Sequence, residues 1–263
     1  MEHWQITPEI VGRNPGLRHA VVQAMDAVRL GHHLLIEGEP GSGRRLLARC
    51  AWGRHGHGED TMLTIDCQMF GADAVQSLLF GNPARTRRTD VETLTVPLSG
   101  GLLLLRADTL PQSTQLRLST ALRRNPTEDE PPRLQAMLIC AVAPTEMLMT
   151  PGMTRVWVPP LRQRAEDIPE LVDRFVRVIS PYERVRLSSD LMERLSGYGW
   201  PENIAELRTV IRRLLMQPHH GRLGLSHLTS LICQDGRSLG LLTDIPPTER
   251  IVAMPALEER RPL

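Results

Sequence analysis

The stretch His33-Leu34-Leu35-Ile36-Glu37-Gly38-Glu39-Pro40-Gly41-Ser42-Gly43-Arg44-Arg45 decides the fold. Its first five residues form a short run with an apolar centre, the length of a buried strand. Glycines follow at 38, 41 and 43, and a helix is predicted from Arg44 to Ala51. Glycines in such a turn let backbone N–H groups point inward and cradle an anion at the helix N-terminus. The eight residues Gly38, Glu39, Pro40, Gly41, Ser42, Gly43, Arg44 and Arg45 keep the glycines of the phosphate-loop pattern G-x-x-x-x-G-K-[ST]. Arg44 stands in place of the lysine and Arg45 in place of the hydroxyl residue. Alone, a glycine-rich turn between strand and helix is a weak signal.

Outward from this turn the chain alternates short apolar runs with helical stretches, the pattern of an α/β layer structure. Met62–Asp66, Gly101–Leu105, Ala136–Val142 and Val156–Val158 are further predicted strands, and Pro111–Arg124 a predicted helix. Near-continuous apolar runs suit a parallel sheet covered on both faces. After Leu161 the pattern predicts helices only: Glu166–Ile179, Ser188–Leu195, Asn203–Met216 and a short one within Gly221–Cys233. The expected division is an α/β nucleotide-binding-type domain over residues 1–164, a helical domain over 165–233 and a loose Pro- and Arg-rich tail over 234–263.

The composition is that of a globular chain. The 263 residues are 41% hydrophobic and 23% charged, and the net charge of +1 provides no global basic field for nucleic acid. All 31 basic residues are arginine. Cys50, Cys67, Cys140 and Cys233 lie far apart with no metal-ligand spacing, as expected of reduced thiols in a cytoplasmic protein. Neither a signal segment nor an apolar run long enough to span a membrane is present in the sequence.

Several segments, in order, resemble the AAA+ domain of bacterial enhancer-binding proteins, the activators of sigma-54 RNA polymerase. Gly38 to Arg49 is similar to G-E-S-G-T-G-K-E-x-x-A-R, and Ile10-Val11-Gly12 to the family's adenine-side segment, with Val11 beside the base. Ile65-Asp66-Cys67 resembles I-N-C, Ser77–Gly81 the S-E-L-F-G helix end, and Gly100–Leu105 the G-G-T-L-F-L strand. Pro159–Ile168 follows P-P-L-R-E-R-x-E-D-I almost letter for letter, and Gly199–Leu207 resembles the lid segment W-P-G-N-V-R-E-L. The resemblance covers residues 9 to 230. It implies a P-loop AAA+ parallel sheet with helices on both faces, followed by a smaller helical lid.

The same alignment implies altered chemistry. ATP hydrolysis needs a metal-held triphosphate, a carboxylate to orient water and cations facing the developing charge. Where the family has Asp-Glu after the L-F-L strand, this chain has Arg106 and Ala107, and Asp108 comes two residues late, pointing elsewhere if the register holds. The sensor asparagine falls near Ala143, the lid arginine is Ala205, and the stretch that carries the family's arginine fingers offers only Arg155. Losing a single charge-stabilising donor raises a barrier by about 2.7–4 kcal/mol, so no catalytic residue and no metal are expected. Binding of ATP or ADP is left open. Arg44 still brings a positive charge to a phosphate, but its guanidinium is wider than an ammonium and can clog the turn.

The family's G-A-F-T-G-A loop is replaced by Asn82–Asp90, with Arg85, Arg87 and Arg88 and no aromatic residue, so direct sigma-54 contact by this loop is not expected. These arginines read as a solvated turn, or as an acidic-partner or nucleic-acid contact. His55–Asp60 reads as a surface loop, His219-His220 as a helix end, and Ser42 and Ser99 lack triad partners. Residues 234–263 are too short and proline-broken for a helix-turn-helix. The expectation is a non-hydrolysing regulatory or assembly subunit in transcriptional control, partnered by another AAA+ activator subunit or by itself. The alternatives are a slow ATPase using Asp108 or Asp66, and a nucleotide-sensing module outside transcription.

Overall fold

The computed structural model describes residues 10–54, 62–81, 100–123, 134–140, 148 and 150–235. They form two compact units. One runs to Asp167 and includes Glu202–Ile204, and the other comprises Ile168–Pro201 and the chain from Ala205 onward.

The first unit is built on a five-stranded parallel sheet. Its strands are β1 (His33–Glu37), β2 (Met62–Asp66), β3 (Gly100–Leu105), β4 (Leu134–Cys140) and β5 (Met153–Trp157), in the order β2-β3-β4-β1-β5. Register puts Glu37 beside both Cys140 and Trp157, and Leu105 beside both Asp66 and Ile139, so these strands end on one line. Helix α1 (Pro15–Arg29) is capped by the Asn14 side chain, which accepts from the Leu17 amide, and has proline in its first turn. With α2 (Arg44–Gly53) it covers one face, where Leu34, Ile36, Leu103, Met137 and Val156 meet Val21, Ala24 and Leu47. On the other face Leu35, Leu102, Leu104 and Leu138 pack against α4 (Ala72–Phe80) and α5 (Gln112–Leu122). Alternate residues of one strand serve opposite faces, so the inner strands are apolar throughout. Each fully buried leucine contributes roughly 1.5–3 kcal/mol. The one-turn helix α3 (Cys67–Phe70) follows β2 directly.

In the second unit, α6 (Ile168–Ile179), α7 (Ser189–Gly197), most of α8 (Asn203–Leu215) and α9 (Leu225–Asp235) enclose Leu191, Leu195, Trp200, Leu207 and Ile211. Ser188 caps α7 by accepting from Leu191. The Trp200 indole donates to the Leu195 carbonyl at 2.8 Å, and Tyr198 meets its ring edge-on at 4.9 Å. The expectation of helices only after Leu161 needs one correction. Strands β6 (Arg186–Leu187) and β7 (Arg222–Leu223) pair in parallel, a two-residue ladder too short for any alternation to announce. No helix among the described residues is long and apolar enough to cross a membrane.

Candidate functional site

The turn after β1 is shaped by two glycines for different reasons. A Cβ at Gly38, where φ is +147°, would lie 2.7 Å from the Val158 carbonyl oxygen. Gly43 has φ +107° and occupies the N-cap of α2, where a glycine supplies no side chain to accept from the first amides. Ser42 N donates to the Glu39 carbonyl at 3.2 Å, whereas the amides of Gly43, Arg44 and Arg45 have no acceptor among the described residues. The Ser42 hydroxyl is buried and also lacks a partner, and it faces Gly38 across the turn. Free amides at the start of a ten-residue helix, with an unpaired hydroxyl inside the turn, suit a phosphate.

The turn is clamped from outside by residues whose role the sequence reading did not identify. Arg162 donates to both carboxylate oxygens of Glu39, at 2.7 and 2.5 Å. Asn203, fully buried, donates to the Pro40 carbonyl at 2.9 Å and to Glu39 at 3.2 Å, and accepts from the Leu161 amide at 2.7 Å. The Ile204 amide donates to the Gly41 carbonyl at 3.1 Å. Arg164, 1% exposed, donates to the Ser42 carbonyl at 2.5 Å. Burial pushes its guanidinium down to about 10, against the opposing pull of Asp167 and Glu166. The guanidinium beside Glu39 holds that carboxyl below its ordinary value. These side chains lie more than 100 positions from the turn residues they hold, and only the recurrence of Arg, Arg and Asn inside the family-like segments marks them in the sequence.

Ahead of α1, Asp167 accepts from the amides of Arg13 (2.5 Å) and Asn14 (3.1 Å), and burial raises its carboxyl. Gly12 is required here, because a Cβ would meet Asp167 Oδ2 at 2.7 Å. Val11 is partly buried in this segment, and its side chain offers a ligand apolar contact.

Arg44 does not project freely from the turn. Its Nη1 donates to the Cys140 carbonyl at the end of β4, burial lowers its pKa and the Asp108 carboxylate raises it. Arg45 is exposed. At the end of β3, Arg106 adopts a left-handed conformation (φ 55°) and donates through Nε (2.9 Å) and Nη2 to Asp66 Oδ1. The same oxygen caps α3, accepting from Gln68 and Met69 at 3.1 and 3.3 Å. Arg106 thereby holds the Asp66 carboxyl below its usual range. Ala107 is fully buried. Asp108 lies within electrostatic reach of the site. It interacts electrostatically with Arg44 and Arg106, and its Oδ1 is buried with no hydrogen-bond partner. Arg155 pairs through Nε with Glu37 of its own chain. Cys50, Cys67 and Cys140 are buried free thiols, with Cys67 pushed up to about 12 by burial.

The arrangement fits a phosphate, and Arg106 and Ala107, directly after β3, carry no group that binds a metal. The turn offers unpaired amides to an anion. Among the described residues, no three His, Cys, Asp or Glu side chains stand close enough to hold a metal. The arginine-bearing segment Asn82–Asp90, Ala143, Ser99 and His55–Asp60 lie outside the described residues.

Two family models match the chain, the sigma-54 interaction domain over residues 10–130 and the AAA+ ATPase lid domain over residues 162–240. The chain belongs to the sigma-54-activator AAA+ family. Among curated relatives of this family, the HTH-type transcriptional regulatory protein TyrR of Salmonella typhimurium is 28% identical over 228 residues, 80% of this chain and 44% of that protein. The response regulator PilR of Pseudomonas aeruginosa is 25% identical over 295 residues, 99% of this chain and 66% of PilR. The chain thus spans less than half the length of TyrR. Among solved structures, NtrX of Brucella abortus in complex with ADP superposes with a TM-score of 0.67 at 20% identity, over 94% of this chain and 59% of NtrX. RuvB of Thermotoga maritima, as a point mutant, gives 0.55 at 12% identity, over 83% of this chain and 69% of RuvB. Both likenesses carry the AAA+ fold.

Proposed function

We propose that this chain is a non-hydrolysing AAA+ subunit in cytoplasmic transcriptional control, acting through contacts with another AAA+ activator subunit or with itself. The observation that carries this reading is the Arg106–Asp66 pair. It sets a guanidinium where a hydrolysing member of the family, by the resemblance above, has the carboxylate for its metal, and it occupies the adjacent carboxylate as well. Ala107, beside it, has no group to orient water. Gly38, Glu39, Pro40, Gly41, Ser42, Gly43, Arg44 and Arg45, with Val11, form the proposed ATP or ADP site, supported by the unpaired amides at the start of α2. The buried free thiols favour a reducing compartment. Direct contact with sigma-54 is not part of the proposal. The test is phosphate release from magnesium-ATP, alongside sizing and co-purification from the native host. No turnover together with self-assembly or capture of an AAA+ subunit is expected. Steady phosphate release, or a chain that stays monomeric and captures no such subunit, refutes it.

A second reading, slow hydrolysis through Asp108, draws on its buried unpartnered oxygen and its coupling to Arg44. Single-turnover phosphate release abolished by Asp108→Asn would establish it. Absence of release from the unsubstituted chain removes it.

A further inference from the structure

The sheet edge that carries the phosphate turn also carries the guanidinium groups of Arg44 and Arg106 and the carboxylates of Asp66 and Asp108, besides the Glu37–Arg155 pair. Arg106 follows the last residue of β3, and β4 alone separates β3 from β1. Its backbone therefore stands two strand spacings, about 10 Å, from the end of β1, a gap that a phosphate chain in the turn and one arginine side chain span together. Both donors that Arg106 uses go to a single oxygen, Asp66 Oδ1, and its Nη1 has no partner among the described residues. Its side chain is 42% exposed, free to exchange partners. A planar guanidinium fork matches a phosphate at least as well as it matches one carboxylate oxygen.

A divalent cation is disfavoured in the same place. In the free chain Asp66 is paired with Arg106, and once that guanidinium passes to a phosphate its charge stands where a cation would. Asp108 offers one unpartnered oxygen within electrostatic reach of both guanidinium groups. An ion there would share the edge with two guanidinium charges, which repel it and attract a phosphate.

We infer that this chain binds ADP or ATP without a divalent cation. The Arg106 guanidinium passes from Asp66 to a phosphate and supplies the charge that a metal would otherwise bring. This rests on the assignment of the phosphate turn under Proposed function.

The experiment is calorimetric titration of the full chain with ADP and with ATP, in EDTA and in excess magnesium. Binding in EDTA at least as tight as in magnesium is expected. Arg106→Asn removes the cation while asparagine tolerates the left-handed backbone. It should weaken binding in EDTA about tenfold, the worth of one charge-assisted hydrogen bond. By freeing Asp66, it should also make binding tighter with magnesium than without. Asp66→Asn keeps an N-cap for α3 but releases Arg106, and should tighten binding in EDTA. A merely misfolded variant gives neither the reversed magnesium effect nor a gain. Binding that requires magnesium, no binding at all, or an Arg106→Asn affinity equal to that of the unsubstituted chain overturns the inference. The same samples are assayed for phosphate. Release would sink the non-hydrolysing reading; absent binding sinks the nucleotide site proposed above together with this inference, and leaves the non-hydrolysing reading standing.

Discussion

Two regions share the carboxyl edge of the sheet, the turn after β1 and the ends of β2 and β3, and they are built on different physical principles. The turn is a backbone device. Its shape comes from Gly38 and Gly43, and its carbonyls at Pro40, Gly41 and Ser42 are tied down by Asn203, Ile204 and Arg164. The ends of β2 and β3 are a side-chain device, in which Asp66, Arg106 and Asp108 meet through charge, and Arg106 remains substantially exposed. A backbone cradle presents amides whatever side chains surround it. A side-chain device depends on a few functional groups, so one substitution there changes the local charge and leaves the cradle in place.

The largest test of this contrast is Arg164→Ala. Arg164 is buried, holds the Ser42 carbonyl, and lies in the field of the buried Asp167. Removing it leaves the Ser42 carbonyl without its donor away from water and takes an opposing charge from near Asp167, so urea unfolding should show a loss of about 3 kcal/mol. A loss under about 1 kcal/mol, the scale of a surface pair, would mean that the clamp does not set the turn.

Next come the two glycines, which separate crowding from backbone strain. Gly38→Ala forces a methyl within 2.7 Å of a carbonyl oxygen on the Val158 backbone, at a φ of +147°. A cost of about 2 kcal/mol is expected. Gly43→Ala meets nothing nearer than Ile204 Cδ1 at 3.7 Å and bears only the strain of φ +107°, about 1 kcal/mol. Equal shifts in urea midpoint would show that the close approach to Val158 plays no part.

How far the sequence announced these regions follows from the range of the forces in each. β1 and β2 are bounded by a glycine turn and by the Asp66 cap, local signals, and the sequence pattern marks both to the residue. β5 was expected over Val156–Val158 but runs Met153–Trp157, because an edge strand leaves Arg155 and Trp157 largely exposed and shows no unbroken apolar run. Helix α1 is absent from the sequence expectations, although Asn14 and Pro15 mark its start. The glycine turn was legible because its chemistry is contiguous. Its clamp was not, since Arg162, Arg164 and Asn203 act on residues more than 100 positions away. The family resemblance marked Arg106 as foreign to a metal site. The pairing with Asp66, 40 residues earlier, required the parallel register of β2 and β3.

The smallest expected effect is the response to acid, which compares the ion pairs of the two regions directly. Glu39 beside Arg162 and Asp66 beside Arg106 both titrate below their ordinary values in the folded chain. A carboxyl depressed on folding stabilises the native state above its unfolded value, about 4, and that contribution disappears as the pH falls through the folded value. Asp167 has the opposite sign. Burial raises it, so its charged form costs stability at neutral pH and the cost is relieved as the pH falls through its raised value. Stability should therefore hold or rise slightly as Asp167 protonates, then decline below about pH 4 as the two pairs discharge. Glu39→Gln and Asp66→Asn should each flatten the decline, and Asp167→Asn should remove the preceding rise. Urea midpoints measured from pH 7 to pH 3 decide it. If Glu39→Gln flattens the acid limb and Asp66→Asn leaves it unchanged, the strand-end pair contributes nothing to folding and Arg106 is held for a ligand alone.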